Sequence, residues 1–323
     1  MDNIKIAYAG YCIDEAELMK SSSGGAASSL SKWMIRNGGV VYGVTYSADF
    51  YYAHYERATR ECELDMFRGS KYCYARKRIE SIDEKKTVYE SVADDLLLGK
   101  SVLFIGLGCD IASVKEGVER HNIDTKKLYL VELICDGVTD GLIQEEYVKW
   151  LENKYKAKII NFTVRCKDQG WENPSIKAEF DNGNCIVYPF YESDYGYAFM
   201  NYKRKNCYAC SLRGENHLGD LIVGDYWGCN DSMNIYNANG VSIIILRNSK
   251  GGILLNYLDK DSFILKETDI DYAMSHNPRF YTPPKGNKRW DEFQNVLKDR
   301  GLNEAVRKGR NEESKKVRIR KTI

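Results

Sequence analysis

The chain has 323 residues, with 47 lysines and arginines against 46 aspartates and glutamates, and 43% of it is hydrophobic. That length supports a core that folds without disulfides, in one large domain or two small ones, and the balanced charge speaks against nucleic-acid binding. No apolar run approaches the roughly 18 residues that span a bilayer, and the opening Met1-Asp2-Asn3-Ile4-Lys5 lacks the layout of a secretory signal, so a cytoplasmic protein without a membrane span is expected.

Short apolar runs alternate with helical stretches through the first half. Ile4–Tyr8 and Val40–Tyr46 read as strands, with a helix between them from Ser22 to Asn37 that stops at Gly38-Gly39. Tyr51–Ala58 reads as a further strand, Lys86–Leu98 as a helix, and Ser101–Leu107 as an apolar strand running into Gly106-Leu107-Gly108-Cys109. A helix follows from about Ile111 to Arg120, then a strand over Leu128–Ile134 that ends at Cys135, then a helix over Thr139–Lys154. This alternation predicts an α/β domain with a largely parallel sheet flanked by helices.

The second half is richer in strands. Ile159–Val164, Ser175–Phe180 and Cys185–Phe190 read as strands, with residues 181–184, Asp-Asn-Gly-Asn, as a hairpin turn. Leu218–Val223 and Val241–Leu246 are further strands, and Ile253–Leu258 and Asp269–Ser275 short helices. The expected organisation is an α/β part over 1–160, a closely packed β-rich part over 161–300 and a basic tail over 301–323. In that tail, from Ala305 to Ile323, the basic residues Arg307, Lys308, Arg310, Lys315, Lys316, Arg318, Arg320 and Lys321 face only Glu312 and Glu313. It reads as a solvated terminal helix with a frayed end; the competing reading is a dock for an acidic redox partner.

Ten cysteines draw attention next, since a cytosolic chain keeps thiols reduced and metal ligation then outranks disulfides. Only Cys207-Tyr208-Ala209-Cys210 has CxxC spacing. Cys109 and Cys135 each follow a strand end beside a glycine, at the edge where open α/β sheets hold ligands. If the two strands are neighbours, the two cysteines face one crevice, and helix N-terminal amides would favour the thiolate at Cys109. Either cysteine alone also suits a small buried hydrophobe. Structural zinc usually takes two local pairs, so two single cysteines plus one CxxC suit an iron–sulfur cluster better than zinc.

Three polar stretches remain. Ser21-Ser22-Ser23-Gly24-Gly25 opens a helix and can offer amides and hydroxyls to a phosphate, or serve only as a cap. Arg68-Gly69-Ser70-Lys71-Tyr72 supplies close approach, charge and a ring, or is a plain surface loop. In residues 219–228 two Gly-Asp pairs flank a short strand that ends on Tyr226 and Trp227; Asp225 lines a pocket or is structural.

Taken in order, Ser22-Ser23-Gly24-Gly25, Gly69-Ser70-Lys71-Tyr72, Gly108-Cys109, Cys135-Asp136-Gly137-Val138, Cys207-Tyr208-Ala209-Cys210 and the 219–228 stretch resemble the beta-subunit family of coenzyme F420 hydrogenases and dehydrogenases, which also includes 7-hydroxymethyl chlorophyll a reductase. The resemblance spans residues 22 to 228. It implies an FAD site lined by Ser22, Ser23, Gly24, Gly25, Gly69, Ser70, Lys71 and Tyr72. It also implies a [4Fe–4S] cluster held by Cys109, Cys135, Cys207 and Cys210. No catalytic acid or base identifies itself.

The chain departs from that family in places. Gly106-Leu107-Gly108-Cys109-Asp110 stands where the family usually has Gly-Thr-Pro-Cys-Gln, and Asp136 where many relatives have His. No ferredoxin-like cysteine repeat precedes the flavin motif, so an external electron donor, a ferredoxin or a partner subunit, is expected. The function implied is an iron–sulfur flavoprotein oxidoreductase passing electrons between cluster, FAD and a small-molecule substrate such as coenzyme F420. Alternatives are a reductase of a polysaccharide-pathway or other non-F420 intermediate, a zinc-stabilised non-catalytic binding module, and a non-catalytic scaffold subunit of a redox complex. A homo-oligomer is compatible with each.

Overall fold

A computed structural model describes residues 6–80, 83–258 and 262–322; the start of the first expected strand and the last residue of the tail lie outside the described residues. In chain order the elements are β1 (Ile6–Cys12), α1 (Glu15–Lys20), α2 (Ala26–Arg36), β2 (Val40–Tyr46), β3 (Ala53–Ala58), β4 (Ala75–Ile79), β5 (Asp83–Thr87), α3 (Val88–Leu97), β6 (Val102–Leu107), α4 (Gly108–Arg120), β7 (Leu128–Leu133) and α5 (Gly141–Tyr155). They continue with β8 (Ile159–Cys166), β9 (Ser175–Phe180), β10 (Cys185–Pro189), α6 (Asp194–Asn201), β11 (Leu221–Asp225), β12 (Ser242–Leu246), α7 (Ser249–Asn256), β13 (Phe263–Thr268), α8 (Ile270–Ser275), α9 (Trp290–Arg300) and α10 (Leu302–Thr322).

Ten strands form one mixed sheet in the order β13-β1-β12-β11-β7-β6-β2-β3-β4-β5, and β8, β9 and β10 form a small antiparallel sheet. The centre, β2, β6, β7 and β11, is parallel, as the alternation of strands and helices predicts. The flanks are mixed: β1 lies antiparallel between β12 and β13, and β3 runs antiparallel to β2. Residues 181–184 close the β9–β10 hairpin, with Gly183 at φ 84°. The late strands β11, β12 and β13 return to the sheet that β1 opens.

Apolar patterning explains the layers. β6 is an almost unbroken apolar run, as a parallel strand covered on both faces should be. On one face Leu30 and Met34 of α2 and Leu254 of α7 cover Val41, Leu103, Val131 and Ile244. On the other, Val88 and Val92 of α3 and Val114 and Val118 of α4 cover Tyr42, Val102 and Phe104. A separate core joins the small sheet to α5, α6 and α9, with Leu302, Ala305 and Val306 of α10 buried against it.

Strand direction then places the motifs. β1, β2, β6, β7 and β11 all end at the same edge of the large sheet. The chain before β4 also lies there, because β3 and β4 start where β2 ends. Residues 21–25, 68–72, 108–110, 135–138 and 225–228 are attached to that edge, where ligands sit in open α/β sheets.

Candidate functional site

Residues 21–25 and 68–72 meet at this edge through one hydrogen bond, from the Ser70 hydroxyl to Ser22 Oγ at 3.0 Å. Gly25 caps α2 at φ 85°, and no side chain caps that helix. The first amides of α2 are therefore without a side-chain acceptor, an arrangement that suits an anion. Ser23 donates instead to the carbonyl of Val241 at 2.8 Å. Gly69 stands at φ 75°. Lys71 turns inward and donates to the carbonyls of Arg68 at 2.7 Å and Met66 at 3.1 Å, and burial pushes its ammonium down to about 7. The Tyr72 ring stacks on Phe199, with centroids 4.3 Å apart.

Arg165 ties these pieces together. Its Nε donates to the Ser22 carbonyl at 3.0 Å, Nη1 to the Tyr72 hydroxyl at 2.9 Å, and Nη2 to Asp225 Oδ1 at 2.7 Å. The same Asp225 oxygen accepts from Trp171 Nε1 at 2.9 Å. Trp171 stacks on Trp227 at 5.1 Å, and the Arg165 guanidinium lies 5.3 Å from the centre of the Trp227 ring. Two residues on, Lys167 donates to the carbonyls of Leu18, Ser23 and Asn239 at 2.6–2.8 Å. A register shift between Thr163 and Cys166 interrupts the β8–β9 pairing here, and such irregularities re-aim side chains.

Neither Arg165 nor Lys167 stands out in the sequence, where the apolar pattern ends the strand at Val164. The available signal is an Arg-x-Lys pair closing an apolar strand, which sets both cations on one face. The 219–228 stretch divides in two. Asp225 belongs to the Arg165 network, whereas Asp220 is structural: its carboxylate accepts from the Leu130 amide and from Asn248, both at 2.8 Å.

β6 and β7 are neighbours in register, with Leu107 opposite Leu133, so Cys109 and Cys135 leave adjacent strand ends. α4 begins at Gly108, earlier than expected, which makes Cys109 the second residue of the helix. Gly108 packs against the buried Glu132 carboxylate, and a Cβ there would lie 2.5 Å from Oε1. Glu132 in turn holds His217 Nδ1 at 2.6 Å and accepts from the amides of Leu218 and Gly219. This buried pair, also missed in the sequence, fixes the turn that carries Cys109.

Cys109 lies within electrostatic range of Cys207 and Cys210, and Cys135 within range of Cys207 and Cys109. A Cβ at Gly137 would lie 3.1 Å from Cys207 Cβ, and the Gly137 amide donates to Cys135 Sγ at 3.2 Å. Desolvation by the protein packed around the sulfurs pushes the Cys109 thiol up to about 11, although the residue is exposed at the surface, and the Cys135 thiol up to about 12, with the neighbouring sulfurs adding to the rise. At Cys109 this desolvation and the Asp110 charge work against the helix amides, which on their own would favour the thiolate. Asp136, between the strand end and Gly137, is clamped by Lys203 at 3.0 Å and Arg279 at 2.5 Å. The four thiols come from three separate segments, a donor set that fits an iron–sulfur cluster. Among the described residues no three His, Cys, Asp or Glu side chains are grouped as the ligands of a single ion would be.

The two groups of residues touch at Tyr72. Its carbonyl accepts from the Thr139 amide at 3.0 Å and the Thr139 hydroxyl at 3.1 Å, four residues beyond Cys135. Tyr72 therefore bonds to the cysteine-bearing loop through its backbone and to Arg165 through its hydroxyl.

A model of the family described as the C terminus of the beta subunit of coenzyme F420 hydrogenase/dehydrogenase matches residues 99–271, more than half of the chain. The matched part contains all four cysteines, Arg165 and Asp225. The fold is similar to that of a chain in the F420-reducing [NiFe] hydrogenase complex from Methanosarcina barkeri, solved as a xenon derivative. The TM-score is 0.54 at 14% identity, over 92% of this chain and 93% of that one. No curated protein matches the sequence.

Proposed function

We propose, since this chain belongs to the coenzyme F420 hydrogenase/dehydrogenase beta subunit family, that it is an iron–sulfur flavoprotein oxidoreductase. In this reading Cys109, Cys135, Cys207 and Cys210 hold a [4Fe–4S] cluster. Residues 22–25 and 69–72 line an FAD site, and the substrate is a small molecule such as coenzyme F420. When bound, the two cofactors exchange single electrons for the electron pair that a two-electron substrate needs. The observation that carries the reading is the contact at Tyr72, which brings the flavin segment against the cysteine loop.

The chain's own residues have defined tasks in this scheme. Arg165 holds Ser22, Tyr72 and Asp225 in one geometry. The open amides of α2 accept negative charge, as a diphosphate would supply it. Asp136, Lys203 and Arg279 brace the Cys135 loop. Tyr72 keeps that loop in register with the flavin segment through Thr139.

The test is an anaerobic absorption spectrum of freshly purified protein with iron and flavin analysis. About four iron per chain and one FAD are expected. A colourless protein that takes up neither on reconstitution, or one that holds zinc, overturns the reading.

A further inference from the structure

The surface beside the Cys207–Cys210 segment is open and basic. Tyr208, between the two cysteines, donates its hydroxyl to the Asn201 carbonyl at 3.4 Å, and a Cβ at Gly286 would lie 3.6 Å from its ring. Over this tyrosine lies an open hollow of about 270 Å³ whose lining includes Met200, Asn201, Lys285, Lys288 and Arg289. Met200 is 53% exposed.

The charges around the hollow do not balance. Lys205 is paired with Asp291 at 2.7 Å, and Arg289 and Lys308 share Glu292, each at 2.7 Å. Glu312 also acts on Arg289, so five cations face three carboxylates. Lys285 and Lys288, both exposed, have no carboxylate partner among the described residues. An exposed methionine ringed by unpaired lysines suits a small, transient interface whose rim charges steer the encounter.

We propose that this face docks an acidic one-electron carrier, a small iron–sulfur protein with surface carboxylates. Lys285 and Lys288 meet those carboxylates, and Met200 meets the carrier's apolar surface. At each docking the reduced carrier would give up one electron to a cluster held in part by Cys207 and Cys210, with no bond or proton exchanged. Two dockings supply the pair that a substrate takes. The electron step rests on the proposed function; the docking itself does not.

The experiment is calorimetric titration of the full chain with an acidic plant-type [2Fe–2S] ferredoxin, at ~20 mM and ~300 mM salt. Wild type binds more tightly at the lower salt. Lys285→Glu with Lys288→Glu weakens binding at least about tenfold and flattens the salt dependence, whereas Lys126→Glu, at the opposite edge of the sheet, leaves it unchanged. No binding by wild type, or equal loss in Lys126→Glu, or unchanged binding by the double variant, overturns the proposal. Iron and flavin are measured on every sample. A chain that carries neither yet binds through these lysines overturns the redox reading alone. One that carries both yet ignores the charge reversal overturns the docking face alone.

Discussion

Arg165 Nη2 and Asp225 Oδ1 lie 2.7 Å apart at the edge of the large sheet, and the other guanidinium nitrogens reach Ser22 and Tyr72. A planar guanidinium reaches its three acceptors from three separate nitrogens held in one rigid plane, whereas an ammonium donates from a single atom. One side chain of β8 thereby joins three segments that lie 60 to 143 residues away in sequence.

Removing that fork leaves the Asp225 carboxylate without its cation. Arg165→Ala should cost about 3–5 kcal/mol, the usual penalty for breaking a buried pair, and the protein should lose flavin. Arg165→Lys should recover part of the stability and little of the flavin. Urea midpoints and flavin per chain measure both effects. The double variant with Asp225→Ala should cost less than the two single changes together, since both remove one interaction. Additive costs would mean the pair is not coupled.

The cysteines sort by position. Replacing Cys109, Cys135, Cys207 or Cys210 singly by Ser should remove most of the bound iron and the visible absorption, because a cubane needs each thiolate on its own iron. Cys62→Ser and Cys185→Ser, at exposed positions, should keep both. Iron retained in all four of the first set would dismiss the ligand assignment.

Lys71 makes stability depend on pH in a defined direction. Burial lowers its ammonium from 10.5 to about 7, so between those values the unfolded chain binds the extra proton. Stability contributed by this group rises with pH across that window, by up to about 1.4 kcal/mol per pH unit. Its destabilising effect is complete below about pH 7 and gone above the unfolded value. Lys71→Met also loses two carbonyl hydrogen bonds, a cost independent of pH in this window. Relative to wild type the variant should therefore be more stable at pH 6 than at pH 9. Parallel urea midpoints at the two pH values would refute this.

The parallel centre was legible because β6 and β7 are apolar runs bounded by glycine and cysteine, the pattern of strands covered on both faces. The elements that escaped notice lie where burial is one-sided or local preference misleads. β4 carries three cations in five residues, α6 contains glycine and three aromatics, and β13 is an edge strand with a polar end. The motifs at strand ends were readable because glycine and cysteine mark positions directly. Arg165, Lys167 and the Glu132–His217 pair were not, since their importance lies in partners distant along the chain.

Gly24 gives the sharpest test of how closely residues 22–25, the first segment of the proposed flavin site, are seated. A Cβ there would stand 2.2 Å from the Gly10 carbonyl oxygen and 2.5 Å from the Ser242 amide nitrogen, both backbone atoms of the strands beneath. Neither can turn aside as a side chain could, so Gly24→Ala must push residues 22–25 off the sheet edge. The expected cost is about 3 kcal/mol, at the upper end for overpacking, together with loss of flavin. Gly141→Ala is the control. It sits at the first residue of α5 with open space around it, and should be neutral or stabilising by up to about 1 kcal/mol. Urea midpoints and flavin content of the two variants decide the matter. A Gly24→Ala protein with an unchanged midpoint would mean the segment can lift without strain. If it also kept its flavin, the cofactor would not depend on the seating of this segment, and residues 22–25 would lose their place in the proposed site.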